Sequence, residues 1–331
     1  MRQGLLLSVL LFLMLMLSPF TVSAVQMDSG TVQKWLKDEH IHRKVEQFMI
    51  YVEDDEFDSL TFALERLALP QQEVARFILL DAIENQETVL SPKFSVFLQS
   101  QLDYAPIYKV LERGDGYEFV VPAFNYPATA SRLLKQWMKE QDRIEFTQAV
   151  ESQSLDLKLW LTGSGYQVQT RETLLINELD NISPQAVAAL TNQLTSQSVI
   201  SWLPAARVMV QLAKTSQDPD VYHLLWKMKM NVHSESELTR LSTLNDAFSL
   251  SQVIQASTNP ALKHQAITAL TQIKPMNDEV KQFLLAKMRL AEDATLVAHE
   301  LEKQGYRSWL EELLSNPNKL DSKAILQVLS N

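Results

Sequence analysis

Apolar residues in this chain fall mostly at helical spacing, and the clearest case runs from Asn259 to about Leu290. Leu262, Ala266, Ala269, Leu270 and Ile273 occupy one face of a helix. Asn259-Pro260 precedes them, a capping residue followed by one whose missing N–H does no harm at the first helical position. Pro275 ends the run, and Asp278 is expected to cap a second stripe of Val280, Phe283, Leu284 and Met288. Two short amphipathic helices joined by a tight turn cannot bury their apolar faces alone. Such a unit needs a copy beside it, so the pattern predicts stacked antiparallel helix pairs.

The same device recurs through the C-terminal part. Leu174, Leu175, Ile176 and Leu179 form one stripe, and Ser183-Pro184 opens the next with Val187, Leu190 and Leu194. Asp218-Pro219 precedes Val221, Leu224, Leu225 and Met228, and Asn316-Pro317 repeats the signature. The starts at 183, 218 and 259 are spaced as helix-pair repeats of about 35 to 47 residues are. The longer step to 316 leaves room for one extra helix over 294–304, and Ala324, Ile325, Val328 and Leu329 end the chain on a capping helix.

Residues 260–270, followed by Asp278-Glu279-Val280-Lys281-Gln282-Phe283-Leu284-Leu285, resemble a HEAT-type repeat. Repeats of that type similarly open on a capped proline, set small residues where helices approach, and place Asp-Glu-Val before the second helix. The resemblance covers this unit and, more loosely, 171–331. The regular arginine of the second helix is missing. What it implies is an all-α, HEAT-like α-solenoid that works through a binding surface and not through catalysis.

The N-terminal part is helical with a blurred repeat. A flexible stretch turns helical near Thr31, where Val32, Trp35 and Leu36 begin an apolar face, and Phe48, Met49 and Val52 continue it. An acidic knot at Glu53-Asp54-Asp55-Glu56 interrupts. Leu60, Ala63, Leu64 and Leu67 follow, then a helix from Pro70 through Val74, Phe77 and Ile78, and one from Ser91-Pro92 with Phe94, Phe97 and Leu98. Between 104 and 128, Pro106, Gly114, Gly116, Pro122 and Pro127 break helix, and Tyr117 to Val121 is a short β-prone run. The expected organisation is an N-terminal helical lobe over 25–103, an irregular connection over 104–128 and a helical-repeat lobe over 129–331. Residues 155–170 stay open between helix plus loop and a β-hairpin, because Leu155, Leu157, Leu159 and Leu161 alternate with polar neighbours.

Composition adds a compartment. Arg2, the apolar run Leu5 to Leu17 and Val22-Ser23-Ala24 resemble a secretory signal peptide over 1–24, cut after Ala24. The expected location is a bacterial periplasm, with no stable membrane span after cleavage. The chain has no cysteine, which excludes disulfides, thiolate metal sites and a cysteine nucleophile. Its formal charge is −10, with 14 basic against 23 acidic residues over 25–170 and near balance beyond. No basic run suits nucleic acid.

Catalytic constellations are sparse. His40 and His42 are two apart and point away from each other on a helix. The acidic knot lacks the alternating ligands and the glycine of a calcium loop. His299-Glu300 is not a zinc motif, since residue 303 is lysine, and Gly163-Ser164-Gly165 is not a nucleophile elbow. Glu151-Ser152 resembles the pair in which exported murein-cleaving lytic transglycosylases carry their general acid, and Gly163 to Gln167 lies near where their second motif falls. It reads Gly-Ser-Gly-Tyr-Gln and not Gly-Leu-Met-Gln. That resemblance is the alternative reading, a peptidoglycan-active enzyme; its bland counterpart is an exposed glutamate at a helix end. No catalytic, cofactor or metal residue is assigned.

Trp35, Trp137, Trp202, Trp226 and Trp309 read as core residues on helical stripes. The helix carrying Tyr222, His223 and Trp226, with Met230 just beyond, is rich enough in apolar residues to offer one face to a neighbour and another to a ligand. These four are the expected partner-binding residues, and the expected partner is a protein or peptide of the cell envelope.

Overall fold

The computed structural model describes residues 25–86, 90–114, 116–196, 202–315 and 322–330. The signal-peptide segment and the Asn316-Pro317 start lie outside the described residues. The fold is all-α: the described residues form eighteen α-helices and one three-stranded sheet. The chain divides into two compact units at residues 142/143, inside a single long helix.

The first unit opens with strand β1 (Val25–Met27) where a flexible terminus was expected. Helices α1 (Ser29–Leu36), α2 (Glu39–Glu53), α3 (Phe57–Glu65), α4 (Leu69–Asn85) and α5 (Pro92–Asp103) follow. Their core is aromatic in part: Phe57, Phe94 and Phe97 stack with ring centroids 5.2 to 5.9 Å apart. The stretch over 104–128 is more regular than expected. Strands β2 (Tyr108–Gly114) and β3 (Tyr117–Pro122) form a hairpin in the register Gly114↔Tyr117 to Lys109↔Pro122. Gly116, just before β3, takes φ +83°, a conformation glycine adopts without strain. β1 pairs parallel to β2, so the order is β1-β2-β3. Helix α6 (Tyr126–Glu151) continues into the second unit.

No hairpin forms at 155–170. Asp156 accepts from the Leu159 N–H and starts the short helix α7 (Leu157–Trp160). Leu157 and Leu161, four apart, are buried while Leu159 is 70% exposed, so the alternation in the sequence does not mark an inner and an outer face. Gln193 fixes the segment from outside, accepting from Leu157 N–H and donating to the Leu155 carbonyl, both at 2.9 Å. Ser164 then opens α8 (Gly165–Glu178) with a capping box closed by Gln167.

From α8 onward the helices build two rows. The remaining elements are a 3₁₀ turn (Leu179–Asn181), α9 (Pro184–Thr195), α10 (Ala206–Ser216), α11 (Pro219–Lys227), α12 (Val232–Leu244), α13 (Ala247–Ala256), α14 (Lys263–Thr271), α15 (Asp278–Met288), α16 (Ala291–Lys303), α17 (Arg307–Ser315) and α18 (Ser322–Leu329). Each helix from α8 to α14 packs against the helix two further on, so α8, α10, α12, α14, α16 and α18 form one row and α9, α11, α13 and α15 the other. Consecutive helices cross between rows and share one apolar core. This is the nearest-neighbour packing that helix-pair repeats need.

Two expected caps shift. Leu262 and Lys263 both donate their N–H groups to the Asn259 carbonyl, which closes a turn over 259–262, and α14 starts only at Lys263. Asn277, not Asp278, caps α15, accepting from the Val280 N–H at 2.8 Å.

Candidate binding surface

Helix α11 begins at Asp218, whose side chain accepts from the Asp220 N–H, and Pro219 follows at a position where no N–H is needed. Its apolar stripe is directed fully inward: Tyr222 is 0% and Trp226 2% exposed. The two rings stack with centroids 5.8 Å apart. The Tyr222 hydroxyl donates to Glu237 on α12 at 2.6 Å and accepts from Arg240 at 3.2 Å. Burial and the Glu237 carboxylate both push the Tyr222 phenol above its ordinary range. Tyr222 and Trp226 therefore serve the core and do not line an open groove, while His223 and Met230 stay on the surface. His223 Nδ1 lies 3.0 Å from Gln255 Nε2 on α13 and so ties neighbouring helices of one row. The four expected residues do not converge on a common site.

An open cleft lies instead between α12 and α14, with a volume of about 390 Å³. Leu238 and Ala269 give it an apolar floor. Thr239, Ser242, His264 and Thr268 surround them. Gln265 reaches across, donating to Thr239 Oγ1 at 3.2 Å and to the Glu235 carbonyl at 3.4 Å. The polar positions 264, 268 and 272 recur every four residues, opposite the stripe of Leu262 and Ala266. That periodicity is visible in the sequence, but polar stripes ordinarily face only solvent, and the partner stripe at Thr239 and Ser242 sits over twenty residues earlier.

On its far side α14 is anchored by charge. Lys263 Nζ lies 2.8 Å and Lys287 Nζ 3.2 Å from the two carboxylate oxygens of Asp293, a residue 1% exposed. Burial works to raise the Asp293 carboxyl, but hydrogen bonds from both lysines outweigh it and hold the group below its usual range. His264 Nε2 stands 3.6 Å from the buried Glu300. Glu172 pairs with Arg207 at 2.6 Å, linking α8 to α10, and Glu237 with Arg240 at 2.6 Å. These buried carboxylates thus bind basic side chains and hold helices together.

Glu151, the general acid of the alternative reading, ends α6 on the surface. Its carboxylate accepts from Ser183 N–H at 2.7 Å and Ser183 Oγ at 2.6 Å, at the start of α9. Those bonds hold its carboxyl below the ordinary range, whereas a general acid needs a raised one. A second cavity of about 410 Å³ is lined by Asp156, Lys158, Gln193 and Trp202 among others. Trp202 lies in the non-helical segment 202–205 and not on a helical stripe. In the acidic knot, Asp55 is bonded to Ser91 and lies 3.3 Å from Lys93. No group of three or more His, Asp or Glu side chains among the described residues is placed to hold a metal, and no helix among them is long and apolar enough to cross a membrane.

Comparison with protein-family models, with curated proteins and with solved structures finds no match for this chain.

Proposed function

We propose that the protein is a non-catalytic binding or scaffold module of the bacterial envelope, exported by the segment 1–24, and that its helix rows act as a HEAT-like α-solenoid toward a protein or peptide. The observation that carries this reading is the α12–α14 cleft, whose apolar floor is ringed by hydroxyls and amides that can meet a peptide backbone. Gln265 ties its α14 wall to α12, and the Lys263–Asp293 pair holds α14 in turn against α16. The use of Glu151, Glu172, Glu237 and Asp293 as structural partners supports a module in which rigidity serves recognition.

Thr268→Arg would fill the cleft without entering the core. Immobilised mature protein is expected to retain one or more envelope components that the variant, matched by circular dichroism, fails to retain. Retention of nothing, or of the same components by both, would overturn the proposal.

A further inference from the structure

The hairpin of the first unit presents an edge with few of the usual defences. β3 is the outer strand, and among the described residues nothing pairs with its far side. The Ala123 N–H donates to the Tyr108 carbonyl at 2.8 Å, so the odd-numbered amides of β3 point toward β2. The amides of Glu118 and Val120 consequently point outward, where a free edge seeks a strand. No lysine and no internal proline guard this edge, and Pro122 only closes it. Tyr117, Phe119 and Val120 are 75%, 46% and 56% exposed. Tyr108 and Val110 pack on the core through one sheet face. That face runs on to Phe119 and Tyr117, which overhang the body uncovered.

We propose that a second copy of this chain pairs with β3, antiparallel and two-fold symmetric, with Phe119 opposite Phe119 of the other copy. The register is self-complementary. Glu118 of each copy falls opposite Val120 of the other, so no like charges meet, and the two pairs exchange four backbone hydrogen bonds. Phe119 meets its counterpart at the close, non-hydrogen-bonded position where cross-strand aromatic pairs gain most. Tyr117 of each copy falls opposite Val121, which places the overhang of one molecule beside the supported end of the other strand. Pro122, which has no N–H to give, falls opposite Gly116, outside the four bonds. One strand per copy buries less than a standard interface, and each copy is strongly acidic. The dimer is therefore weak and tightens as salt screens the repulsion.

Sedimentation of the full mature chain over a concentration series tests this. Wild type is expected to shift from monomer to dimer. Val120→Glu sets a new carboxylate against Glu118 of the other copy and is expected to remain monomeric. Val120→Lys, which sets an ammonium against Glu118 of the other copy and leaves the Arg113–Glu118 pair of its own hairpin in place, is expected to keep the dimer, since opposite charges then face each other only in this register. Because the chain has no cysteine, Phe119→Cys gives a clean second readout: an interchain disulfide under mild oxidation, against little for Glu118→Cys. A wild type that stays monomeric at a few hundred micromolar overturns the proposal and leaves the edge to an extended segment of another protein. A dimer that Val120→Glu does not weaken overturns it as well.

Discussion

Two buried carboxylates in this protein titrate in opposite senses, and each sense follows from its neighbours. Asp293 is held below its ordinary value by Lys263 and Lys287. Its contribution is complete above the unfolded-state value near 3.8 and is lost as pH falls through the lower folded-state value. Lys263 is raised by the same carboxylate, so the pair weakens again only above about pH 10.5. Asp293→Asn should cost about 2 kcal/mol at pH 7, below the full penalty of a broken buried pair because both lysines can turn to water. It should also flatten the acid limb of a pH–stability profile followed by urea unfolding, and an unchanged acid limb would show that the pair adds nothing. Glu73 behaves in the reverse way. Burial raises its carboxyl, against the hydrogen bonds from Ile107 and Tyr108 and the charge of Arg76. Its ionised form therefore weakens the fold above about pH 4.5, and that loss is recovered as pH falls. Glu73→Gln keeps an acceptor for the Ile107 N–H, which Glu73 Oε1 meets at 2.6 Å, and should leave stability at pH 7 nearly unchanged. Glu73→Ala orphans that N–H at the start of β2 and should cost about 1–2 kcal/mol. Equal losses in the two variants would mean that the carboxylate charge, which both lack, and not the hydrogen bond, is what Glu73 supplies.

At the scale of single elements, the two asparagines of the 259–290 unit differ in what they hold. Asn277 caps one helix through the Val280 N–H, and Asn277→Ala should cost about 1 kcal/mol. Asn259 accepts from the Ala261 N–H and donates through Nδ2 to the carbonyls of Trp226 and Met228 at the end of α11. It joins one repeat to the previous one, so Asn259→Ala should cost about 2 kcal/mol, read as a lower urea midpoint at unchanged slope. Asn259-Pro260 reads in the sequence as a helix start, but in the structure it closes a turn that precedes the helix. That the helix begins later, at Lys263, was not legible, because the carbonyls that recruit the asparagine lie over thirty residues away. The stripes at Val187, Leu190 and Leu194, or Val221, Leu224 and Leu225, were legible because helical spacing is local, and all six residues are buried. The alternation over 155–161 misled in the opposite way: Gln193 imposes the conformation from another helix. Likewise β1 could not be read from Val25 to Met27, since a three-residue strand exists only through its partner at Tyr108 to Val110. The cleft needed both helices in place before Thr239 and Thr268 could be seen as one surface.

Over the whole molecule, the two compact units make different demands on the chain. The first closes around the buried cluster of Phe57, Phe94 and Phe97. The second propagates: each helix from α8 to α14 packs against the next but one, and the buried core extends from Phe146 to Val328. Stability in such a stack is a sum of repeat and nearest-neighbour terms, so a defect in one repeat is felt first by its neighbours. Leu270 on α14 is 0% exposed, and Leu270→Ala should remove about 2–5 kcal/mol. The loss should be local to the second unit. Calorimetry of the mature chain is expected to show two transitions, of which Leu270→Ala lowers one and Phe97→Ala, in the first unit, lowers the other. Hydrogen exchange should then show protection falling most in α12, α14 and α16 of the Leu270→Ala variant, with the amides of α4 and α5 unchanged. A single transition moved equally by both substitutions would show instead that the two units fold as one cooperative body.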